Sequence, residues 1–184
     1  MSNNLDGIIA TRVREERLAL GWTLDRLSAE SAVSRAMISK IERNQCSPTA
    51  VLLARLAGAM NLTLTSLMSE RGAPSPSVRR VHEQCVWVDP QTQYVRRLVS
   101  GGGAELEIVA IELPVGTVVE FGGLKSDLHE EQVLVLEGTL TLQTGQSQFS
   151  LHPGDLARFA ADQVHSFSNF GQSAARYLVI TRQA

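Results

Sequence analysis

Apolar positions along the chain follow two different rhythms. Up to about Ser69 they recur at helical spacing, as Ile9, Val13 and Leu20, and again as Leu52, Leu53, Leu56 and Met60. Beyond Ala104 they alternate or cluster in short runs: Leu106, Ile108 and Ala110, then Val133 to Leu136, then Leu140 and Leu142. Gly and Pro interrupt this second half at Pro114-Val115-Gly116, Glu137-Gly138, Thr144-Gly145 and His152-Pro153-Gly154-Asp155. Such punctuation predicts short strands joined by turns, in a sandwich or small barrel. The intervening Arg71-Gly72-Ala73-Pro74-Ser75-Pro76-Ser77 has the composition of a linker. Helices followed by strands across a linker predict two domains: an all-α unit over 1–69, a linker over 70–83 and an all-β unit over 84–184.

Five helices are expected in the first unit. The first runs from Leu5 to Leu20 and stops at Gly21. Thr23 caps the second (24–30), Ser34 the third (35–44) and Thr49 the fourth, and a short fifth follows Leu62-Thr63. Only Ser31-Ala32-Val33 separate the second helix from the third, the connection length of a helix-turn-helix. In that motif the second helix of the pair enters the major groove while the first braces it. Arg35, Ala36, Met37, Ser39, Lys40 and Arg43 give the third helix a small or cationic outer face, and Ile38 and Ile41 give it an inner one. Thr23, Ser34, Ser47 and Thr49 offer hydroxyls and helix N-termini to phosphates. A plain αα-hairpin in a bundle would need none of these features.

Residues 8–68 resemble the Xre/Cro-type helix-turn-helix, above all in Gly21-Trp22-Thr23, the run Ser34 to Asn44 and Ser47-Pro48-Thr49. The resemblance implies DNA binding through Thr23, Ser34, Arg35, Ala36, Met37, Ser39, Lys40, Arg43, Ser47 and Thr49. It makes Arg17 and Glu42 a structural ion pair, with Trp22 in the core. Two departures stand out: Leu24 where the family often has Gln, and Ala32 where the turn usually has Gly, so that a positive φ there would be strained.

From about Gln84 to Thr181 the chain resembles the cupin small β-barrel, or double-stranded β-helix. Glu131 to Gly138 reproduces the E-x6-G part of the first cupin motif, and Gly154, His165 and Asn169 fall at the spacing of the second. Ala160 and Asp162 stand where the family has Pro and Gly. A metal-binding cupin uses three histidines and a glutamate, or two histidines and a carboxylate around iron. The two first-motif histidine positions fall at Leu124/Lys125 and Ser126/Asp127, so only Glu131 and His165 remain, with Asp127 and His129 as further polar candidates. The expectation is therefore a pocket in which Glu131, His165, Asp127 and His129 hold a small-molecule effector, with no metal and no cofactor assigned. Glu131 and Asp127 would suit an amine, and Arg96 or Arg158 an anion. Tyr94, Arg96, Arg158 and Tyr177 could line that pocket or cover the surface, and His152 is expected in a turn.

The whole arrangement resembles bacterial regulators of the Xre–cupin type. That implies a non-enzymatic, sequence-specific transcriptional regulator binding double-stranded operator DNA as a homodimer on a two-fold site. The alternative is a metal-dependent cupin enzyme, a dioxygenase or isomerase, with an appended helical domain. A net charge of −2 hides a slightly basic first part, +1 over 1–70, and an acidic second part, −3 over 71–184. Cys46 and Cys85 lack the number for a disulfide framework and the spacing of a zinc site. No apolar run approaches the ~18 residues of a membrane span, and Met1 to Gly7 lacks the layout of a signal peptide. The expected location is cytoplasmic.

Overall fold

A computed structural model describes residues 5–68, 78–100, 106–122, 130–160 and 162–182. The expected linker segment Arg71–Ser77 and the candidate residues Asp127 and His129 lie outside the described residues. Residues 78–83, counted with the linker, include a single 3-10 turn at Val81–Glu83.

The helices are α1 (Leu5–Ala19), α2 (Leu24–Ser31), α3 (Arg35–Glu42), α4 (Ala50–Ala59) and α5 (Leu64–Leu67). Their starts follow the local chemistry. Thr23, Ser34, Thr49 and Thr63 each accept a hydrogen bond from a backbone N–H in the first turn of the helix they open. Three ends share one device, a residue in the left-handed region that lets two N–H groups turn back onto the last carbonyls. Gly21 does this for α1, Asn44 for α3 and Asn61 for α4. Asn44 explains why α3 stops two residues earlier than its periodicity predicts. Its N–H bonds the Ile41 carbonyl, and that of Gln45 bonds Lys40. Ala32 ends α2 at φ 53°, the strained conformation expected of a non-glycine turn, at about 1–2 kcal/mol. Ile9, Val13, Leu27, Val33, Ile38, Ile41, Leu53 and Leu56 fill the space between these helices.

The strands are β1 (Val86–Val88), β2 (Val95–Leu98), β3 (Leu106–Leu113), β4 (Val118–Phe121), β5 (Glu130–Glu137), β6 (Leu140–Thr144), β7 (Ser147–Leu151), β8 (Leu156–Ala160), β9 (His165–Ser168) and β10 (Ala175–Arg182). All pairings are antiparallel. They form two separate sheets, ordered β1-β2-β3-β10-β5-β8 and β4-β9-β6-β7. The cupin barrel is thus a sandwich whose core joins Val109, Ile111, Val133, Val135 and Tyr177 of one sheet to Val119, Leu142 and Phe167 of the other. Gly138, at φ +75°, turns β5 into β6. A Cβ there would lie 2.7 Å from the Ala174 carbonyl oxygen.

Strand alternation also places polar residues inside. Arg96 shares parity with Tyr94 and Leu98, Glu107 with Val109 and Ile111, Glu131 with Val133, and Thr181 with Val179. Register sets Thr181 opposite both Glu107 and Glu131, so one end of the six-stranded sheet carries a polar row. The helical domain runs along the sheet between that row and its other end. Asp89 of the β1–β2 turn accepts the Ala50 N–H at the start of α4 at 2.5 Å. Glu107 accepts from the Thr63 hydroxyl at 2.8 Å and from Ser66 at 3.4 Å. Asp89 thereby satisfies a backbone N–H at the N-terminal end of α4, where the helix dipole favours negative charge, while Glu107 engages the hydroxyls at the start of α5.

Candidate nucleic-acid interface and seam cavity

The helix-turn-helix candidates lie on one accessible surface. Thr23, Ser34, Arg35, Ala36, Lys40, Arg43 and Ser47 are exposed, whereas Met37, Ser39 and Thr49 are half-buried. The hydroxyls of Thr23, Ser34 and Thr49 each accept a backbone N–H, which leaves each hydroxyl hydrogen for an outside acceptor. Arg35 is held 3.1 Å from Asp25 in a solvent-exposed pair, and Arg43 donates to the Ser39 carbonyl of its own helix. Ser47 donates to Asp6 of α1, so that hydroxyl has an intramolecular acceptor already. The Met37 sulfur lies 3.9 Å from Cys46 and faces the neighbouring turn more than the open side.

Behind this surface, Arg17 and Glu42 form the expected bidentate pair, with Nε–Oε1 at 2.7 Å and Nη2–Oε2 at 2.8 Å. The third guanidinium nitrogen donates to the Trp22 carbonyl at 2.8 Å. The hydrogen bond to Glu42 raises the Arg17 pKa despite burial. Trp22 is half-buried beside the Arg26 guanidinium, 5.9 Å from the ring centroid, and so is a packing residue.

In the strand domain, His165 and Glu131 come together as the sequence predicts. His165 Nε2 lies 3.4 Å from Glu131 Oε2, and Nδ1 lies 3.1 Å from the Gln163 carbonyl oxygen. Burial works against a charged imidazole. The two acceptors outweigh it, and the His165 pKa is raised. Phe121 stacks on the ring at 5.5 Å between centroids, with Phe159 and Phe167 against its other sides. Asn169 is fully buried and structural: its amide donates to the Leu113 and Ser173 carbonyls and accepts the Gly171 N–H. His152 is exposed in a turn closed by Asp155.

The remaining candidates separate. Arg158 is on the surface with Glu130. Tyr94 and Tyr177 are buried, and Arg96 is buried beside them. Among the described residues no group of three or more His, Cys, Asp or Glu is arranged to hold a metal. Glu131 and His165 are described, whereas Asp127 and His129 lie outside the described residues.

Glu131 and His165 open onto a cavity of about 50 Å³ at the seam between the domains. The sheets contribute Arg96, Phe121, Phe167, Val179 and Thr181, and the segment from α4 through α5 contributes Ala54, Ala57 and Leu62 to Thr65. A much wider hollow of about 910 Å³ runs along α1 past Arg12 and Glu42 and is open to solvent. Sequence reasoning did not find that the helical domain roofs the pocket, nor the roles of Asp89 and Glu107. Glu107 was detectable by its inward parity with Val109 and Ile111, whereas nothing local marks its partners.

Comparison with known proteins gives the same two domains. A helix-turn-helix family model matches residues 13–67, and a cupin domain model matches residues 112–181. The HTH-type transcriptional regulator SutR of Escherichia coli (strain K12) is 30% identical over 178 residues, covering 95% of this chain and 94% of that protein. An HTH_3 family transcriptional regulator from Vibrio cholerae has the same fold, with a TM-score of 0.78 at 21% identity over 98% of each chain. Hydroxypropylphosphonic acid epoxidase from S. wedmorenis is similar in fold alone, with a TM-score of 0.51 at 14% identity over 97% of this chain and 98% of that one. With both family models and a relative matched over nearly its whole length, the chain belongs to the helix-turn-helix transcriptional regulators that carry a cupin domain.

Proposed function

We propose that the chain is a one-component regulator in which residues 1–69 bind operator DNA, 70–83 link, and 84–184 sense a small-molecule effector. In this reading α3 enters the major groove. Arg35 and Lys40 meet base edges or phosphates, and Ala36, Met37 and Ser39 line the helix–groove contact. Thr23, Ser34, Arg43, Ser47 and Thr49 meet the backbone. One such unit reads few base pairs, so the operator is a two-fold site bound by a homodimer. Leu136, Phe149 and Leu156, each about half exposed on the strand domain, support dimerisation there. The effector sits between Glu131 and His165, and the chain works by binding rather than by catalysis.

A single observation carries the reading: the cavity wall is shared between the two domains, so an occupant touches the segment from α4 through α5 as well as the sheets. A ligand with different affinity for the DNA-competent and free states must change operator affinity by the same ratio. Operator binding by fluorescence anisotropy, with and without the low-molecular-weight fraction of a cell extract, tests this. The wild type is expected to respond, and Glu131→Gln with His165→Ala is expected to bind DNA normally and not respond. An unresponsive wild type contradicts the effector reading. Near-stoichiometric iron, manganese, nickel or zinc, lost in the double variant, would instead favour a metal-dependent cupin enzyme.

A further inference from the structure

Arg96 is a buried cation whose hydrogen bonding is incomplete. It is 5% exposed, and Nη1 donates to the Tyr94 hydroxyl at 2.9 Å. That is the only hydrogen bond its guanidinium makes among the described residues, and it has no ion pair there. Nε is fully enclosed without an acceptor. The Tyr177 hydroxyl is likewise enclosed without a partner, close enough to interact electrostatically with Arg96, Tyr94 and Glu131. Buried polar groups in folded proteins are almost always satisfied, so an enclosed guanidinium nitrogen lacking an acceptor implies one the described residues do not supply.

The neighbouring carboxylates are already engaged. Glu131 is held by His165, and Glu107 by the hydroxyls of Thr63, Thr65 and Ser66. With Nη1 turned to Tyr94 and Nε enclosed, the reachable part of the Arg96 guanidinium is Nη2, whose N–H groups suit an oxygen of a carboxylate or an oxoanion. Arg96 lines the seam cavity, whose volume admits a ligand of a few non-hydrogen atoms or the acidic end of a longer one.

We propose that the seam cavity takes a small carboxylate or oxoanion on the Nη2 side of the Arg96 guanidinium, beneath the roof formed by α4 and α5. Binding at Arg96 stands on the geometry above, whereas its regulatory consequence rests on the effector reading. The occupant would lie against Leu62 to Thr65, in the stretch that Glu107 anchors, and so at the point where the two domains adjust to each other.

The full-length protein is titrated calorimetrically with sodium acetate, as the carboxylate probe, and with sodium phosphate, as the oxoanion probe, against sodium chloride at matched ionic strength. At least one probe is expected to bind saturably at one site per chain and to shift the Arg96 Nε–H resonance. Arg96→Lys, which keeps the charge but withdraws the planar guanidinium and its Nη2 donors, weakens this at least about tenfold. Arg158→Ala, on the surface, leaves it unchanged. The proposal is overturned if neither probe exceeds chloride on the wild type, a result that needs no variant to fold, or if Arg96→Lys binds equally well. Saturable binding that leaves operator affinity unaltered supports the site and contradicts the regulatory reading. An operator response to a neutral or cationic molecule, with no anion bound, contradicts the site and leaves that reading standing.

Discussion

Arg17 in the helical domain and Arg96 in the strand domain are both withdrawn from water, and their surroundings differ in kind. Arg17 has all three guanidinium nitrogens occupied, two by Glu42 and one by the Trp22 carbonyl. The pair ties α1 to the end of α3. Arg96 has one nitrogen on Tyr94, one enclosed without an acceptor and no ion pair among the described residues, and it lines a cavity. A completed ion pair is what a rigid scaffold requires. An incomplete one in an enclosed space costs stability and is what a binding site requires, since a ligand can recognise only groups that the protein leaves unsatisfied.

Removing one partner should therefore have opposite consequences in the two domains. Glu42→Ala leaves Arg17 enclosed without its counter-charge and is expected to cost the helical domain about 3–5 kcal/mol, the range for breaking a buried pair. Thermal melting followed by circular dichroism measures this. Weakened DNA binding with unaltered melting would instead make Glu42 a DNA-reading residue. Smaller, about 0.5–2 kcal/mol, is the expected cost of Asp89→Asn, which removes the charged acceptor from the start of α4. It should also part the melting of the two domains, visible as a broadened or split calorimetric transition. Arg96→Met keeps much of the volume and removes a buried charge that has no ion pair among the described residues, so stability should change by no more than about 1 kcal/mol while anion binding disappears. A loss as large as that of Glu42→Ala would show that Arg96 is scaffold too.

The seam adds a pH test. Burial raises the Glu107 carboxyl pKa, against the pull of its hydroxyl donors and Arg96. A carboxyl raised in the folded state is most favourable below its unfolded value of about 4.3, and that contribution is lost as pH rises through the folded value. His165, also raised, acts in the same direction at higher pH, above about 6.5. Glu107→Gln should flatten the lower part of this dependence, measured by chemical denaturation from pH 4 to pH 7. An unaltered profile would show that Glu107 does not titrate in that window.

What the sequence discloses depends on how local the cause is. The caps Thr23, Ser34 and Thr49 and the stop at Gly21 act within one helical turn, and they stand where the sequence places them. The early end of α3 was missed although Asn44, a residue that tolerates the left-handed region, was its signal. Glu131 and His165, which motif spacing marks, meet across the two sheets of the sandwich. Their roof was not legible. Asp89 reaches Ala50 across 39 positions and Glu107 reaches Thr63 across 44, and no periodicity records which surface a second domain will cover. Arg96 lies between these cases. Its parity with Tyr94 and Leu98 points inward, but only the packed structure leaves its Nε without an acceptor.

The account stands or falls on α3 as a DNA-reading helix. The most direct measurement is selection of duplexes from a random pool by the full-length chain, followed by anisotropy titrations of the enriched sequence at several salt concentrations. The expected product is a two-fold site with half-sites about 34–36 Å apart, bound by two chains. Arg35→Ala should then lose about 1–3 kcal/mol and relax preference at one position, whereas Lys40→Ala, if that residue meets phosphate, should weaken all sequences alike and lower the salt slope by about one. A pool that yields no enriched sequence, or a site bound equally well by both variants, would contradict the account.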